Sequence, residues 1–227
     1  MAEVALGQSR ATRLAFDAET AVAHLSAVDP ILGDVIARTG PYRPTTHAAP
    51  DVFHSLMRAI IYQQLSGKAA GTIHARVLDA LGGVEAPGAR AIQAADTDTL
   101  RAAGLSANKQ AGLRALAAAE IAGELPDESR IDEYSDDKLI ERYSAIRGIG
   151  RWTVEMLLMF HLGRPDVMPI HDLGVRKGYA RVYTRDALPK PKALEAETEI
   201  WRPYRSVGAW YMWRALEADE TSAAPPR

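Results

Sequence analysis

The chain has 227 residues, 47% of them apolar and 25% charged, enough for one or two compact domains with a real core. It contains no cysteine, which excludes disulfides, thiolate nucleophiles, zinc–cysteine sites and cysteine-ligated iron–sulfur clusters and fits a reducing intracellular compartment. The formal net charge is −2, yet residues 142–214 carry thirteen Lys/Arg against seven Asp/Glu, so a locally basic face, suited to phosphate or simply a solvated helix surface, coexists with an acidic remainder.

The N-terminal "MAEVALGQSRATRLAF" lacks the apolar core of a signal peptide, and no apolar run approaches the roughly 18 residues of a membrane span. Met1 to about Thr12 and Thr221 to Arg227 read as frayed tails. Between them "DAETAVAHLSAVDPILGDVIAR" predicts two short helices divided at Pro30, which fits a helix N1 position. "RPTTHAAPD" is a Pro/Thr-rich linker. "DVFHSLMRAIIYQQL" places Val52, Phe53, Leu56 and Ile60 at helical spacing, and "SGKAAGTIHARVLDALGG" reads as a second helix ending at Gly82-Gly83. "ADTDTLRAAGLSANKQAGLRALAAAEIAGE" gives a short helix, a turn at Gly104 and a longer helix from near Ser106. "SDDKLIERYSAIRGIGRWTVEMLLMFHLG", "KPKALEAETEIWRPY" and "RSVGAWYMWRALEADE" supply the remaining helices. No stretch alternates with a period of two, so the chain is expected to be all-α.

The most informative segment is "LIERYSAIRGIGRWTVEMLLMF", Leu139 to Phe160. One helix is expected to run to about Ile146, Gly148-Ile149-Gly150 to turn the chain, and a second helix to start near Arg151. The glycines permit positive φ and close backbone approach, and Ile149 between them anchors the turn in the core. Exposed N–H groups at the start of the second helix make an anion site of the kind a DNA phosphate fits. Any tight glycine turn between helices would share part of this pattern. Twenty positions beyond Trp152 (172 − 152) comes Asp172, within "MPIHDLGVRKG". Taken alone it reads as a helix N-cap, favoured by the free N–H groups and the helix dipole.

"IRGIGRWTVEML" followed at that distance by an Asp resembles the helix-hairpin-helix (HhH-GPD) DNA glycosylase superfamily. Within it, "AIIYQQLSGKAAGTIHARV" (Ala59 to Val77), "GIGRWTVEMLL" and "RSVGAWYMW" are similar to the 3-methyladenine DNA glycosylase II branch, over roughly Asp51 to Glu217. The β-rich N-terminal domain of some members has no room here. The resemblance implies two helical domains with the active-site cleft between them: 52–164, with the hairpin, and 1–51 plus 165–227, with the Asp.

The resemblance further implies that Asp172 is the catalytic carboxylate, its charge stabilising the oxocarbenium-like sugar as the base departs. Capping and catalysis need not compete. Trp152 and Trp213 match pocket aromatics, with Tyr62 and Trp210 as further candidates; Trp213 could equally be core in "WYMWRALE". An aromatic pocket suits cationic alkylated purines through cation–π attraction, worth up to about 2 kcal/mol when desolvated. Gln64, with Leu65 beside it, aligns with the wedge that fills the gap left by a flipped base, although Gln63-Gln64 could simply end a helix. Ser66, Gly67, Lys68, Gly148, Gly150 and Arg151 would contact backbone phosphate, and carbonyls of Ser144, Ile146 and Ile149 would hold a structural Na+ or K+.

Members that also nick the strand carry a hairpin Lys; here Trp152 stands at that position, so a monofunctional enzyme is expected, with no iron–sulfur cluster or other cofactor. Met156, Leu173 and His171 depart from the family pattern. Arg176 and Lys177 face phosphate or merely complement the helix surface. The implied partner is damaged double-stranded DNA, met by a monomer in the cytoplasm with the chromosome. A glycosylase for deaminated or oxidised bases, or a non-catalytic hairpin module, remains open.

Overall fold

A computed structural model describes residues 14–44, 49–83, 86–126 and 128–222. The expected tail at Met1–Thr12, the last five residues and the middle of the 43–51 linker lie outside them. The described residues form α-helices and two short 3-10 segments, with no strand among them. The chain divides into two compact units, one within 47–157 and the other within 12–46 and 158–227. The boundary after Leu157 precedes the expected one at 164, because the intervening segment bonds to the second unit: Gly163 O accepts from Ala15 N at 3.2 Å and Arg164 O from Ser206 Oγ at 2.7 Å.

The first unit holds α3 (Val52–Tyr62), α4 (Gly67–Ala80), α5 (Ala89–Ala94), α6 (Thr97–Ala102), α7 (Ala107–Ile121), α8 (Asp136–Ser144) and most of α9 (Arg151–Phe160). Five of these helices start where the sequence offers an oxygen: Asp51, Ser66, Asp96, Ser106 and Ser135 each accept from an N–H of the following turn. In α3, Val52, Phe53, Leu56, Met57, Ile60 and Ile61 are buried, a stripe of helical period. Each contributes about 1.5–3 kcal/mol of apolar burial before conformational entropy is subtracted. The unforeseen α5 is only six residues long and is held from outside. Arg114 of α7 donates to the carbonyls of Gln93 at 3.0 Å and Ala95 at 2.7 Å, and Gln93 Nε2 returns a bond to Arg114 O at 2.6 Å. Such long-range capping leaves little local signal, which is why the sequence pattern did not show this helix.

The second unit holds α1 (Ala18–Val28), α2 (Pro30–Thr39), α10 (Leu173–Val182), α11 (Pro191–Glu197) and α12 (Arg205–Ser222). Asp29 ends α1 and caps α2, with Pro30 at its first position as expected. Its Oδ1 accepts from Ile31 N and Leu32 N, both at 3.1 Å, and its Oδ2 from Trp201 Nε1 at 2.8 Å and from the Tyr183 hydroxyl. Four donors make a buried carboxylate tolerable. Burial and the same carboxylate push the Tyr183 hydroxyl far above the usual phenol range. Arg205, itself buried, donates to Asp166 Oδ1 at 2.7 Å and to the Asp166 carbonyl at 3.0 Å, fixing the chain between α9 and α10 against the start of α12.

Helices α10 and α12 pack with backbone close to backbone. A β-carbon built at Gly178 would lie 2.1 Å from the Met212 carbonyl oxygen and 2.7 Å from its carbon, a clash no side-chain rotation relieves. Gly178→Ala is therefore expected to lower unfolding free energy by about 2–3 kcal/mol, the upper range for an overpacked site, as measured by urea unfolding.

Candidate active site

In the second unit the chain leaves α9, runs without regular secondary structure through Val167–Pro169 and turns at Ile170–His171 into α10. Asp172 is the N-cap of that helix, with extended backbone (φ −68°, ψ 125°), and its Oδ1 accepts from Val175 N at 2.7 Å. The same oxygen accepts from Trp213 Nε1 at 2.9 Å. The carboxylate is half-buried and pinned by one donor from α10 and one from α12. Trp213 packs at 5.8 Å, tilted, on Phe160. The indole edge reaches Asp172 because residue 174 has no side chain: a β-carbon there would sit 2.7 Å from Trp213 Cδ1 and 3.1 Å from Asp172 Oδ1. Chemically this is a fixed anion whose orientation is set before anything binds. Next to it Leu173 and His171 are exposed, and Arg176 Nε donates to Pro189 O at 2.9 Å, which ties it to the chain ahead of α11.

Trp210, expected beside Trp213, is instead core. It is buried, edge-on to Tyr42 at 5.1 Å and to Tyr211 at 4.9 Å, with the Arg214 guanidinium over its ring. The two tryptophans are three residues apart on α12, yet Trp210 points to Tyr42 while Trp213 meets Asp172.

In the first unit, α8 ends at Ser144, two residues before the expected Ile146, and α9 starts at Arg151 as expected. Gly148 adopts φ +88°, whereas Gly150 does not use the positive-φ freedom read from its sequence. What Gly148 requires is room as well: a β-carbon would lie 3.1 Å from the Gly112 Cα on α7. Ile149 is buried, and its N–H is taken by Ile146 O at 3.1 Å. Trp152, in the first turn of α9, is 49% exposed. Arg151 Nε donates to buried Glu155 Oε1 at 2.8 Å, one turn along.

The α3–α4 turn lies in the same unit. Gln64 adopts φ +57°, a left-handed conformation costing a residue with a side chain about 1–2 kcal/mol, and it is exposed, as is Leu65. Ser66 caps α4; Gly67 opens onto free space and Lys68 is exposed. Tyr62 lies under the Arg58 guanidinium at 3.7 Å and edge-on to His74, whose basicity is lowered by burial and by Arg58. Gln63, which sequence reasoning took only as a helix end, donates from Nε2 to Gly148 O at 2.8 Å.

The HhH-GPD model, described as "HhH-GPD superfamily base excision DNA repair protein", matches residues 57–203, well over half the chain. The chain belongs to this superfamily. It is 37% identical over 206 residues to DNA-3-methyladenine glycosylase 1 of Schizosaccharomyces pombe, covering 90% of each chain. The structure of the 3-methyladenine DNA glycosylase of that yeast in complex with abasic DNA superposes with a TM-score of 0.77 at 37% identity, covering 86% of this chain and 95% of the other. A Bacillus halodurans DNA-3-methyladenine glycosidase superposes at 0.80 with 31% identity, over 88% and 91%.

Besides Gln63, sequence reasoning missed Gly174. The available signal was the pair Gly174 and Gly178, four apart and so on one face of a helix, a spacing that marks close approach of a neighbour. Gly174→Ala is expected to force Trp213 and Asp172 apart and, in a protein of this family, to slow base excision at least tenfold while circular dichroism still reports a folded chain.

Proposed function

We propose that the protein is a monofunctional DNA glycosylase that flips alkylated purines of the 3-methyladenine and 7-methylguanine type out of duplex DNA. It hydrolyses their N-glycosidic bond and leaves an abasic site. The observation that carries the proposal is the Asp172 carboxylate held between Val175 N–H and Trp213 Nε1–H, in a member of a base-excision superfamily. As the C1′–N bond lengthens, its electron pair leaves with the base and positive charge grows on the sugar. A pre-oriented anion stabilises that charge more than it stabilises the ground state, and no reorganisation is needed at the moment of reaction. Water then adds to C1′, oriented or deprotonated by the same carboxylate. A base already carrying a methyl-induced positive charge is a good leaving group, so the protein need not protonate it.

The other parts follow from the two turns. The exposed Trp152 offers a face on which a cationic base stacks. Gln64 and Leu65 supply the wedge, and a strained left-handed residue at an exposed tip is the kind of backbone that persists for function. The hairpin and the start of α9 grip phosphate, aided by Ser66, Gly67 and Lys68. Trp152 stands where an amine would be needed for strand cleavage, which supports the hydrolytic reading. The carbonyls of Ser144, Ile146 and Ile149 would hold a monovalent cation that neutralises phosphate charge at the hairpin. Ile146 O already accepts from Ile149 N–H, and its second lone pair is the one an ion would use. The enzyme works as a monomer, inside the cell with the chromosome; no helix among the described residues is long and apolar enough to cross a membrane.

A panel of duplexes, each with one lesion, checks this reading. Methylated purines are expected to appear as free bases, with the strand intact until alkali is added. Release only of uracil or 8-oxoguanine would replace the substrate class. Tight binding with no release from any duplex would make the protein a non-catalytic clamp, and a nick without alkali would refute the monofunctional claim.

A further inference from the structure

We propose that Gln63 is a positioning residue that couples the α3–α4 turn to the hairpin, so that the two turns meet DNA as one rigid body. The inference rests on the reading of Gln64 and Leu65 as wedge and of the hairpin as phosphate grip. Gln63 is the C-cap of α3 and still donates its backbone N–H to Ala59 O at 3.2 Å. From that fixed backbone its side-chain amide donates to Gly148 O, 85 residues away in sequence, at 2.8 Å. The next residue is Gln64 in its left-handed conformation, and the acceptor is the one hairpin glycine at positive φ. One hydrogen bond therefore links the residue just before the strained Gln64 to the positive-φ glycine of the hairpin.

The surrounding contacts brace the same junction. Lys109 Nζ, from α7, donates to Ile61 O at the end of α3 at 2.7 Å, and burial lowers the basicity of its amine. One turn further along α7, Gly112 faces the last turn of α3 and the hairpin: a β-carbon there would lie 3.4 Å from Ile60 Cγ2 and from Arg147 O, and 3.6 Å from Gly148 Cα. The end of α3, the glycine on α7 and the hairpin turn thus converge on one point, and Gln63 supplies the polar link across it. A strained turn persists only when its surroundings over-determine it. The amide of Gln63, by holding the Gly148 carbonyl, fixes both where the wedge points and how the hairpin peptide is oriented. Phosphate binding at the hairpin then sets the depth of the wedge, and insertion is not a separate search.

The test uses a duplex with a tetrahydrofuran abasic analogue opposite 2-aminopurine, whose fluorescence rises when the wedge unstacks it, together with single-turnover excision at saturating enzyme. Gln63→Leu keeps the size and removes the donor. It is expected to bind the abasic duplex within threefold of the wild type, to lose most of the fluorescence rise and to excise at least tenfold more slowly. Gln63→Glu keeps the shape but sets a carboxylate against the Gly148 carbonyl; its defect is expected to shrink as pH falls from 8 to 5.5 and protonation restores a donor, a recovery that a misfolded variant would not show. Wild-type fluorescence and saturated rates in both variants would overturn the proposal and leave the wedge reading intact. A wild type that gives no fluorescence rise, with Gln64→Ala indistinguishable from it, would remove the wedge reading and the coupling with it.

Discussion

The structure turns on one oxygen. Asp172 Oδ1 accepts from the backbone of its own helix, a local cap, and from the indole of Trp213 on α12, and this second bond exists because α10 and α12 approach at glycine positions. Gly178 lets the Met212 backbone come to the surface of α10, and Gly174 lets the Trp213 edge pass over its first turn. A carboxylate at a helix N-cap is stabilised by the dipole, and a second, charge-assisted donor fixes its direction. The direction of this carboxylate, the proposed catalytic group, is thus set by the packing of two helices. The buried bonds of Asp29 and the Asp166–Arg205 pair hold those same elements in place.

The first unit follows the same rule with different parts. Gly112 and Gly148 bring α7 against the hairpin, Gln63 joins that hairpin to the α3–α4 turn, and Gln64 stands at the tip in a conformation that only a braced turn maintains. Each unit spends glycines on close backbone approach and then places one polar side chain across the contact. Trp213 does this in one unit and Gln63 in the other.

Much of this was legible in the sequence where the cause is local. The cap at Asp172, Pro30 at the start of α2, and the apolar stripe of α3 are all set by residues within a turn of one another. The family was legible too, through the hairpin and the spacing from Trp152 to Asp172. What escaped depends on distant partners. Helix α5 exists because Arg114 caps it; Trp210 is core because Tyr42 lies on it; Trp213 bonds to Asp172 across 41 residues. The importance of Gly174 follows from what α12 puts beside it, which no local reading of "DLGVRKG" contains. The end of α8 at Ser144 was misjudged because Ile146 is apolar and continues the pattern, while its N–H already serves the turn through Tyr143 O.

The central claim is that the negative charge of Asp172 does the chemistry while the residue also caps α10. Asparagine separates the two roles, since its carbonyl oxygen still accepts from Val175 N–H and Trp213 Nε1–H. The most direct measurement is single-turnover release of 7-methylguanine from duplex DNA by Asp172→Asn, with thermal unfolding recorded alongside. A melting temperature close to that of the wild type and a rate lower by about 100-fold or more, the scale of lost transition-state electrostatics, is the expected result. An Asn variant that excises the base at the wild-type rate would contradict the assignment.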